Sequence, residues 1–230
     1  MRKLFFSLAL CSTAISTHAF GRDGEVYLEL DGGGVLAEDF DLEAAGGNED
    51  DTLATLEPEI GFDVGGILGY DFGAFRLELE GSYRQLENDA LTTAAGVIDG
   101  DVLLGDSSAA SAMVNALFDL GSDDSVQFYA GGGAGVAYVE HAASSIVDGA
   151  EQNIANGDTY EFAWQALAGV RYPLSDAVDI GLKYRFFNIP DYEFGGSFDA
   201  DAFETHWRSH SLLATLNLNL GGRSQPAPVA

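Results

Sequence analysis

The residues with the clearest chemical potential are charged side chains placed at alternate positions of apolar segments. Seven of them carry charges of both signs: Arg76, Glu78, Glu80, Arg84, Arg171, Lys183 and Arg185. Alternate residues of an extended chain lie on one face, so we predict that these seven side chains share an interior. Ionised groups there must pair or be hydrated, because an isolated buried charge is costly.

Other residue types that could do chemistry form weaker patterns. No Ser-His-Asp arrangement can be inferred from the spacing of His141, His206 and His210. The acidic clusters lack the spacing of a calcium loop, although a weak role remains open in which Mg²⁺ or Ca²⁺ links their carboxylates to lipopolysaccharide phosphates. The glycine-rich segment 131–135 misses a phosphate-loop motif at Val136. We expect no catalytic site, no cofactor and no dedicated metal site.

Alternation of apolar and polar residues predicts the elements that position the seven charges. In the segment 178–186, for example, Ile180, Leu182 and Tyr184 alternate with Lys183 and Arg185, which indicates a two-faced strand. Eight segments follow this pattern: 24–31, 59–64, 76–84, 112–120, 126–140, 160–172, 178–186 and 210–220. The predicted fold is all-β, a transmembrane antiparallel up-and-down β-barrel with a polar interior and an apolar exterior.

The connections between these segments alternate in length. Short turns are predicted at 71–74, 120–125 and 173–177, and long polar loops at 37–58, 87–109, 141–158 and 188–205. Short turns on one rim and long loops on the other are typical of outer-membrane barrels, whereas a soluble β-sandwich does not require them. Apolar pieces such as 102–104 could add a hairpin or extend strands above the membrane, so ten strands is the alternative to eight.

Aromatic residues lie near both ends of the predicted strands. Two girdles at the lipid-water boundaries would explain this; the alternative is the ordinary aromatic core of a soluble barrel. The predicted girdle residues are Tyr70, Phe72 and Tyr172 beside the short turns, and Tyr83, Tyr138, Trp164, Phe186 and Trp207 towards the other strand ends.

The first 19 residues predict a cleaved export signal. Arg2 and Lys3 precede the apolar run 4–15, and Thr17 and Ala19 supply small residues for signal peptidase. Cleavage after Ala19 removes Cys11, the single cysteine, so the mature chain has no disulfide. Lipidation of Cys11 is disfavoured, because Leu10 stands where a small residue is required.

The mature chain is strongly acidic. Loss of Arg2 and Lys3 leaves 8 basic residues against 37 acidic ones, a net charge of −29, which excludes nucleic acid as a partner. Six of the eight basic residues fall on predicted strands or, for Arg208, just before one, so the loops are left almost purely acidic. The acidic clusters are Glu38, Asp39, Asp41, Glu43, Glu49, Asp50 and Asp51 in the first long loop, and Asp199, Asp201 and Glu204 in the fourth.

Three segments carry a resemblance to a known family: GGILGYDFGAFRLE at 65–78, GGGAGVAYV at 131–139 and RSHSLL at 208–213. With them the chain resembles the OmpA-type eight-stranded outer-membrane barrels. The resemblance implies periplasmic short turns, extracellular long loops and assembly by the outer-membrane insertion machinery. We expect two departures from longer relatives: no peptidoglycan-binding domain is expected, because the sequence stops at Ala230 where their linker would begin, and the last strand ends in Leu220-Gly221-Gly222 without a terminal aromatic residue.

These observations predict one domain, a barrel over 20–222, followed by a disordered tail at 223–230. The expected function is that of a structural outer-membrane protein, not an enzyme, with acidic loops for surface interactions. Its expected surroundings are outer-membrane lipid and lipopolysaccharide, it is expected to be a monomer, and its extracellular ligand is unknown. A small low-conductance porin gated by the seven charges is the first alternative. A lipid hydrolase or acyltransferase is a remote one.

Overall fold

The computed structural model describes residues 24–44, 52–93, 96–99, 103–104, 106–120, 126–147, 150–175, 177–195 and 202–220. The predicted signal segment, the predicted tail and most of the turn at 120–125 lie outside these residues. None of the described residues forms a helix long and apolar enough to cross a membrane.

The described chain consists of antiparallel strands. They are β1 (Glu25–Ala37), β2 (Phe40–Ala44), β3 (Thr52–Pro58), β4 (Gly61–Asp71), β5 (Phe75–Thr93), β6 (Gly96–Asp99), β7 (Leu103–Leu104), β8 (Asp106–Leu120), β9 (Gln127–Val147), β10 (Ala150–Pro173), β11 (Val178–Gly195) and β12 (Ala202–Asn219). Because β1 pairs with both β4 and β12, the sheet closes on itself and has no edge at that level.

Eight of these strands form the closed barrel, in the order β1, β4, β5, β8, β9, β10, β11 and β12. We call them the wall strands. Above β1 and β4, the pair β2 and β3 continues the wall, since β2 pairs with β12 and β3 pairs with β5. The short strands β6 and β7 lie along β5 and β9. The predicted eight-stranded antiparallel barrel is therefore confirmed, and the ten-strand alternative is wrong, because the apolar pieces at 97–98 and 103–104 form short strands beside β5 and β9 and not further strands of the closed barrel.

The alternation predicted from the sequence fixes which side chains face inward. Along β11, Leu182 and Tyr184 are exposed while Lys183 and Arg185 are buried. The same alternation holds along β8, where Val114 is 57% exposed and its neighbour Asn115 is fully buried. The apolar residues thus form an outer band around a polar lumen, the inverse of a soluble barrel.

The long connections differ from the polar loops that were predicted. Strand β5 runs to Thr93, β9 runs to Val147, β10 begins at Ala150 and β11 runs to Gly195. Together with β2 and β3, these strands make the described parts of all four long connections extensions of the wall. Paired strands satisfy each other's backbone hydrogen bonds, and inward apolar residues such as Val139 and Ile189 give these extensions a core. The wall therefore rises beyond the apolar band at one rim, which we call the upper rim.

At the opposite, lower rim, the described residues of the short connections at 71–74 and 173–177 form tight turns. Gly73 adopts a positive φ of 96°, and its backbone N–H donates to Asp71 Oδ1 at 2.7 Å. Glycine takes this backbone conformation without the steric penalty of a Cβ. The second turn is closed by Ser175, whose hydroxyl accepts hydrogen bonds from the backbone N–H groups of Ala177 and Val178.

Candidate functional site

The middle of the lumen holds Arg185, which contacts three carboxylates. Its guanidinium lies 2.8 Å from Asp63 Oδ1, 2.9 Å from Glu80 Oε1 and 3.1 Å from Asp31 Oδ2. All four side chains are fully buried. A planar guanidinium with five N–H donors can bind several carboxylates at fixed angles, so Arg185 ties together β1, β4, β5 and β11.

Two further cations lie next to Arg185. The Lys183 ammonium donates to Glu29 and, at 3.0 Å, to Asp31 Oδ2. Arg84 donates to Ser82 Oγ at 2.9 Å, and its guanidinium carbon lies 3.5 Å from the centre of the Phe187 ring. Contact with an aromatic face offsets part of the cost of burying a cation.

A second group of charges occupies the lumen at the lower rim. Arg76 Nε lies 2.9 Å from Asp119 Oδ2, and Arg171 Nη2 lies 3.3 Å from Asp71 and 3.5 Å from Asp119. Tyr27 links this group to the middle of the lumen, because its hydroxyl donates to Glu78 Oε1 at 2.5 Å and accepts from Arg76 Nη1 at 3.2 Å.

All seven charged residues named from the sequence lie inside the barrel, each at most 3% exposed. Sequence reasoning missed most of the carboxylates that pair with them. The signal was present, since these residues occupy alternate positions of β1, β4 and β8. We call the following set the lumen network: the seven predicted residues together with Glu29, Asp31, Asp63, Asp71 and Asp119.

Above the lumen network the interior becomes apolar. Phe40 packs against Trp207 with ring centres 5.1 Å apart and against His141 at 5.3 Å. We call this cluster the apolar cap. Its buried residues are Val35, Phe40, Leu42, Leu56, Leu86, Ala109, Met113, Ala137, Val139, Ala163, Phe187, Ile189, Tyr192 and Trp207. An apolar core inside the barrel was not predicted from the sequence.

Trp207 does not lie where the sequence predicted it. Its side chain is fully buried in the apolar cap, and its indole N–H donates to Ser209 Oγ at 3.0 Å. The prediction placed it in an aromatic girdle because it stands near a strand end. Its inward direction follows from alternation along β12. Ser209 and Ser211 face inward and His210 between them faces outward, so Trp207, two residues before Ser209, also faces inward.

The other seven girdle residues face outward. Tyr70 and Phe72 pack together at 4.5 Å near the lower rim, where Tyr172 is 52% exposed. Towards the upper rim, Trp164 packs on Phe186 at 5.4 Å. Tyr83 packs on Phe62 at 6.0 Å, and Tyr138 packs on Tyr160 at 4.8 Å. The two groups bound the apolar band from below and above.

A buried hydrogen-bonded chain of Ser107, His141 and Tyr192 borders the apolar cap. Ser107 Oγ lies 2.8 Å from His141 Nδ1, and the Tyr192 hydroxyl lies 2.5 Å from Nε2. Burial lowers the pKa of His141 from 6.5 to about 4, so the ring is neutral at pH 7. The other ring nitrogen meets a tyrosine and not the carboxylate of a hydrolase triad. Ser107 is fully buried.

The outer face of the wall above the upper aromatic group is acidic. Exposed Glu38, Asp39, Glu87, Glu140 and Asp158 lie on this face. The one basic side chain described there is that of Arg208, whose guanidinium lies 3.5 Å from Glu38 with both side chains 46% exposed. Five of the six basic residues within the described ranges are buried in the lumen, which leaves the upper wall negatively charged.

The amino-acid sequence matches a known protein family. A family model described as "Outer membrane protein beta-barrel domain" matches residues 7–206. The chain belongs to this family. The apolar band of the barrel is therefore its lipid-facing surface, and the protein is an integral barrel of the bacterial outer membrane.

Solved structures share the fold at low sequence identity. The outer-membrane protein OprG from Pseudomonas aeruginosa is 12% identical, with a TM-score of 0.58 over 89% of this chain and 100% of OprG. The outer-membrane protease OmpT from Escherichia coli is 6% identical, with a TM-score of 0.57 over 88% of this chain and 99% of OmpT. No curated protein sequence matches the chain. At these identities, the structural similarity establishes only the barrel fold.

Proposed function

We propose that this chain is a structural barrel of the outer membrane whose lumen is closed at rest and whose acidic upper wall serves surface interactions. One observation carries the proposal: the lumen network and the apolar cap lie one above the other along the described interior. An ion would have to break buried pairs and then cross an apolar section. Separating a buried pair leaves uncompensated charge, and apolar constrictions exclude water.

Conductance across a planar lipid bilayer tests the proposal. The mature chain, folded in detergent and shown by circular dichroism to be rich in β-structure, should insert without giving single-channel steps. A porin folded in the same detergent provides the positive control for insertion. Regular conductance steps from the unmodified protein would overturn the closed-lumen proposal.

A gated pore is the second candidate, and the geometry of Arg185 favours it. Because three carboxylates surround this guanidinium, a movement that breaks one contact leaves it with two acidic partners. The apolar cap must also move before ions pass, so two closures act in series. We expect Arg185→Gln alone and Phe40→Ala alone to stay silent and the double variant to conduct. Steps from Arg185→Gln alone would identify the lumen network as the sole gate.

An enzymatic role is the remote candidate. We propose no activity, since the Ser107 hydroxyl is enclosed and His210 contacts Tyr184 at 2.7 Å on the outer wall. Turnover of lipid or peptide by the folded protein, lost in His141→Gln or His210→Gln, would contradict this assignment.

The remaining elements of the proposal concern export and surroundings. We propose that the chain is exported with cleavage after Ala19, inserted by the outer-membrane assembly machinery, and embedded as a monomer in lipid and lipopolysaccharide without a cofactor. We propose an orientation in which the upper rim faces outside the cell. Protease added to intact cells should then cut the upper hairpins and leave a protected membrane core, whereas complete resistance would contradict the exposure of the upper rim.

A further inference from the structure

Above the upper aromatic group, the wall strands β10 and β11 are not paired with each other. From the lower rim upward they pair as far as Trp164 and Asn188. Above these residues, within the described chain, β10 pairs with β9 and β11 pairs with β12. We call the interval between residues 150–163 of β10 and 189–195 of β11 the seam. Both strands continue upward along the seam after their own pairing has stopped.

A proline explains where the pairing stops. A Cβ on Gly169 would lie 2.6 Å from the carbonyl oxygen of Leu182, so Leu182 directs its backbone towards β10 and forms a hydrogen-bonded pair with Val170. Such pairs recur at every second position of an antiparallel ladder. The first one within the seam would join Phe162 to Pro190. Proline has no N–H to donate, and a ladder ends where this donor is missing.

The seam leaves β10 with an unpaired edge. Because alternate residues direct their backbone groups to opposite neighbours, Asp158, Tyr160 and Phe162 direct their N–H and C=O groups into the seam. No described strand pairs with them on that side. Tyr160 is 76% exposed and Phe162 is 57% exposed, so the edge lies at the surface. An exposed strand edge is a template on which a further strand can pair.

Charge determines which kind of strand fits this edge. Exposed Asp158 lies directly opposite exposed Glu140 of β9, and like charges in this position repel each other. On the other side of the seam, β11 carries exposed Asp191 and Glu193. Neither side of the seam contains a lysine or an arginine. A second copy of this edge would add acidic residues to acidic ones, whereas a basic strand would neutralise them.

We propose that the seam binds an extended cationic peptide, which adds to β10 as a further strand. Directly paired residues share one face of a sheet, so the peptide residues opposite Tyr160 and Phe162 face outward beside these rings. Apolar side chains suit those positions. The peptide residue between them lies beside Glu161, where a lysine fits. This inference rests on the proposed role of the upper wall in surface interactions and names the class of partner.

Fluorescence anisotropy with a labelled peptide of alternating lysine and valine tests the proposal on the detergent-folded mature protein. We expect saturable binding of one equivalent. The matched control is the same peptide with its valines N-methylated, which keeps every charge but removes the N–H groups that pair with β10. Its affinity should be at least tenfold lower. Equal affinities would show attraction by charge alone and would overturn the proposal, as would the absence of saturable binding.

Two proline substitutions locate the peptide on the barrel. Pro190→Val supplies the missing N–H, so β10 and β11 can pair across the seam, and the affinity should fall at least fivefold with no change of charge. Pro173→Val, at the lower end of β10, should leave the affinity within twofold of the unmodified protein. Both variants must first show the mobility shift of a folded barrel. Equal affinities of the two variants would contradict binding in the seam.

Hydrogen–deuterium exchange resolved by residue tests the edge without any substitution. The amides of Tyr160 and Phe162 should exchange rapidly in the free protein and slowly with the lysine-valine peptide bound. The amide of Glu161, which faces its partner on β9, should exchange slowly in both. Slow exchange of Tyr160 in the free protein, or exchange unchanged by the peptide, would overturn the proposal. Neither experiment depends on conductance, so single-channel steps would overturn the closed lumen and leave this inference standing.

Discussion

At the residue scale, the lumen is organised around cations that have more than one acidic partner. Arg185 contacts three carboxylates, Arg171 contacts two and Lys183 contacts two. Several acidic partners are needed because each cation loses its hydrating water on burial, and hydrogen bonds to the protein must replace it. The loss of one such cation therefore leaves several carboxylates uncompensated.

Arg185→Gln should strongly destabilise the barrel. Removing one partner of a buried ion pair costs about 3–5 kcal/mol, and the urea midpoint of the folded protein in detergent should fall accordingly. Arg208→Gln is the matched control, because this arginine pairs with Glu38 on the exposed wall, where ion pairs contribute about 0–1 kcal/mol. Equal effects of the two substitutions would contradict the assignment of Arg185 as the centre of the network.

His141 should make stability depend on pH. Its pKa is lowered from 6.5 to about 4 by burial above the apolar band, so the unfolded chain binds the proton more tightly than the folded one. The contribution of His141 to the free energy of unfolding is therefore complete above pH 6.5. It is lost as the pH falls towards 4, at up to about 1.4 kcal/mol per pH unit.

Urea unfolding at several pH values tests this dependence. His141→Gln should lower stability at neutral pH but remove this component of the slope, so the difference between variant and unmodified protein should shrink as the medium is acidified. A constant difference from pH 7 to pH 4 would show that His141 does not titrate as inferred.

At the element scale, strand β9 is shaped by glycines that let neighbouring backbones approach. A Cβ on Gly131 would lie 2.0 Å from the carbonyl oxygen of Ala116, and one on Gly135 would lie 2.0 Å from that of Ala112. Both contacts are far shorter than any Cβ tolerates. The close approach of β9 to β8 therefore depends on the absence of these side chains.

Gly131→Ala should reduce the folded fraction of the barrel. The added methyl group must push β9 away from β8, and overpacking of this kind costs about 1–3 kcal/mol. Gly81→Ala is the matched control, since a Cβ there meets nothing within 4 Å, and it should fold as well as the unmodified chain. The readout is the fraction that shows heat-modifiable mobility after refolding; similar losses in both variants would count against the close approach of β8 and β9.

At the scale of the whole molecule, the barrel changes polarity along its axis. Within the apolar band the outside is apolar and the inside charged, as with exposed Leu182 and buried Lys183. Above it the inside is apolar and the outside acidic, as with buried Leu86 and exposed Glu87. The lower part therefore matches a lipid environment and the upper part matches water.

A barrel of this kind should remain closed in a denaturing detergent until it is heated. We expect the mature protein to migrate differently on a denaturing gel before and after boiling, with β-rich circular dichroism before heating. A protein that is soluble without detergent and shows no shift would contradict the lipid-facing band. Arg185→Gln should shift at a lower temperature than the unmodified protein, because the network ties distant strands together.

The mature protein isolated from the outer membrane should begin at Phe20. N-terminal sequencing or intact mass spectrometry checks the cleavage site, which rests on Thr17 and Ala19. An intact Met1 or a lipid attached to Cys11 would overturn the predicted export route.

The sequence by itself determined the barrel, its strand parity and the inward direction of the seven charged residues. Period-two alternation decides these features locally, because neighbouring side chains of a strand must face opposite ways. Residues such as Lys183 and Leu182 were therefore placed correctly without knowledge of their partners.

Only the tertiary structure decided which charges pair, where Trp207 lies and how the upper interior is filled. Arg185 and Asp31 are far apart in the chain, and their contact depends on the register of the strands and the curvature of the closed sheet. Trp207 stands before the predicted strand 210–220, so its inward direction followed only once β12 was seen to begin at Ala202. The apolar cap was not predicted, because its residues lie in connections that were predicted as polar loops and that continue as paired strands. The alternate residues of these strands form a core only when the wall closes around them.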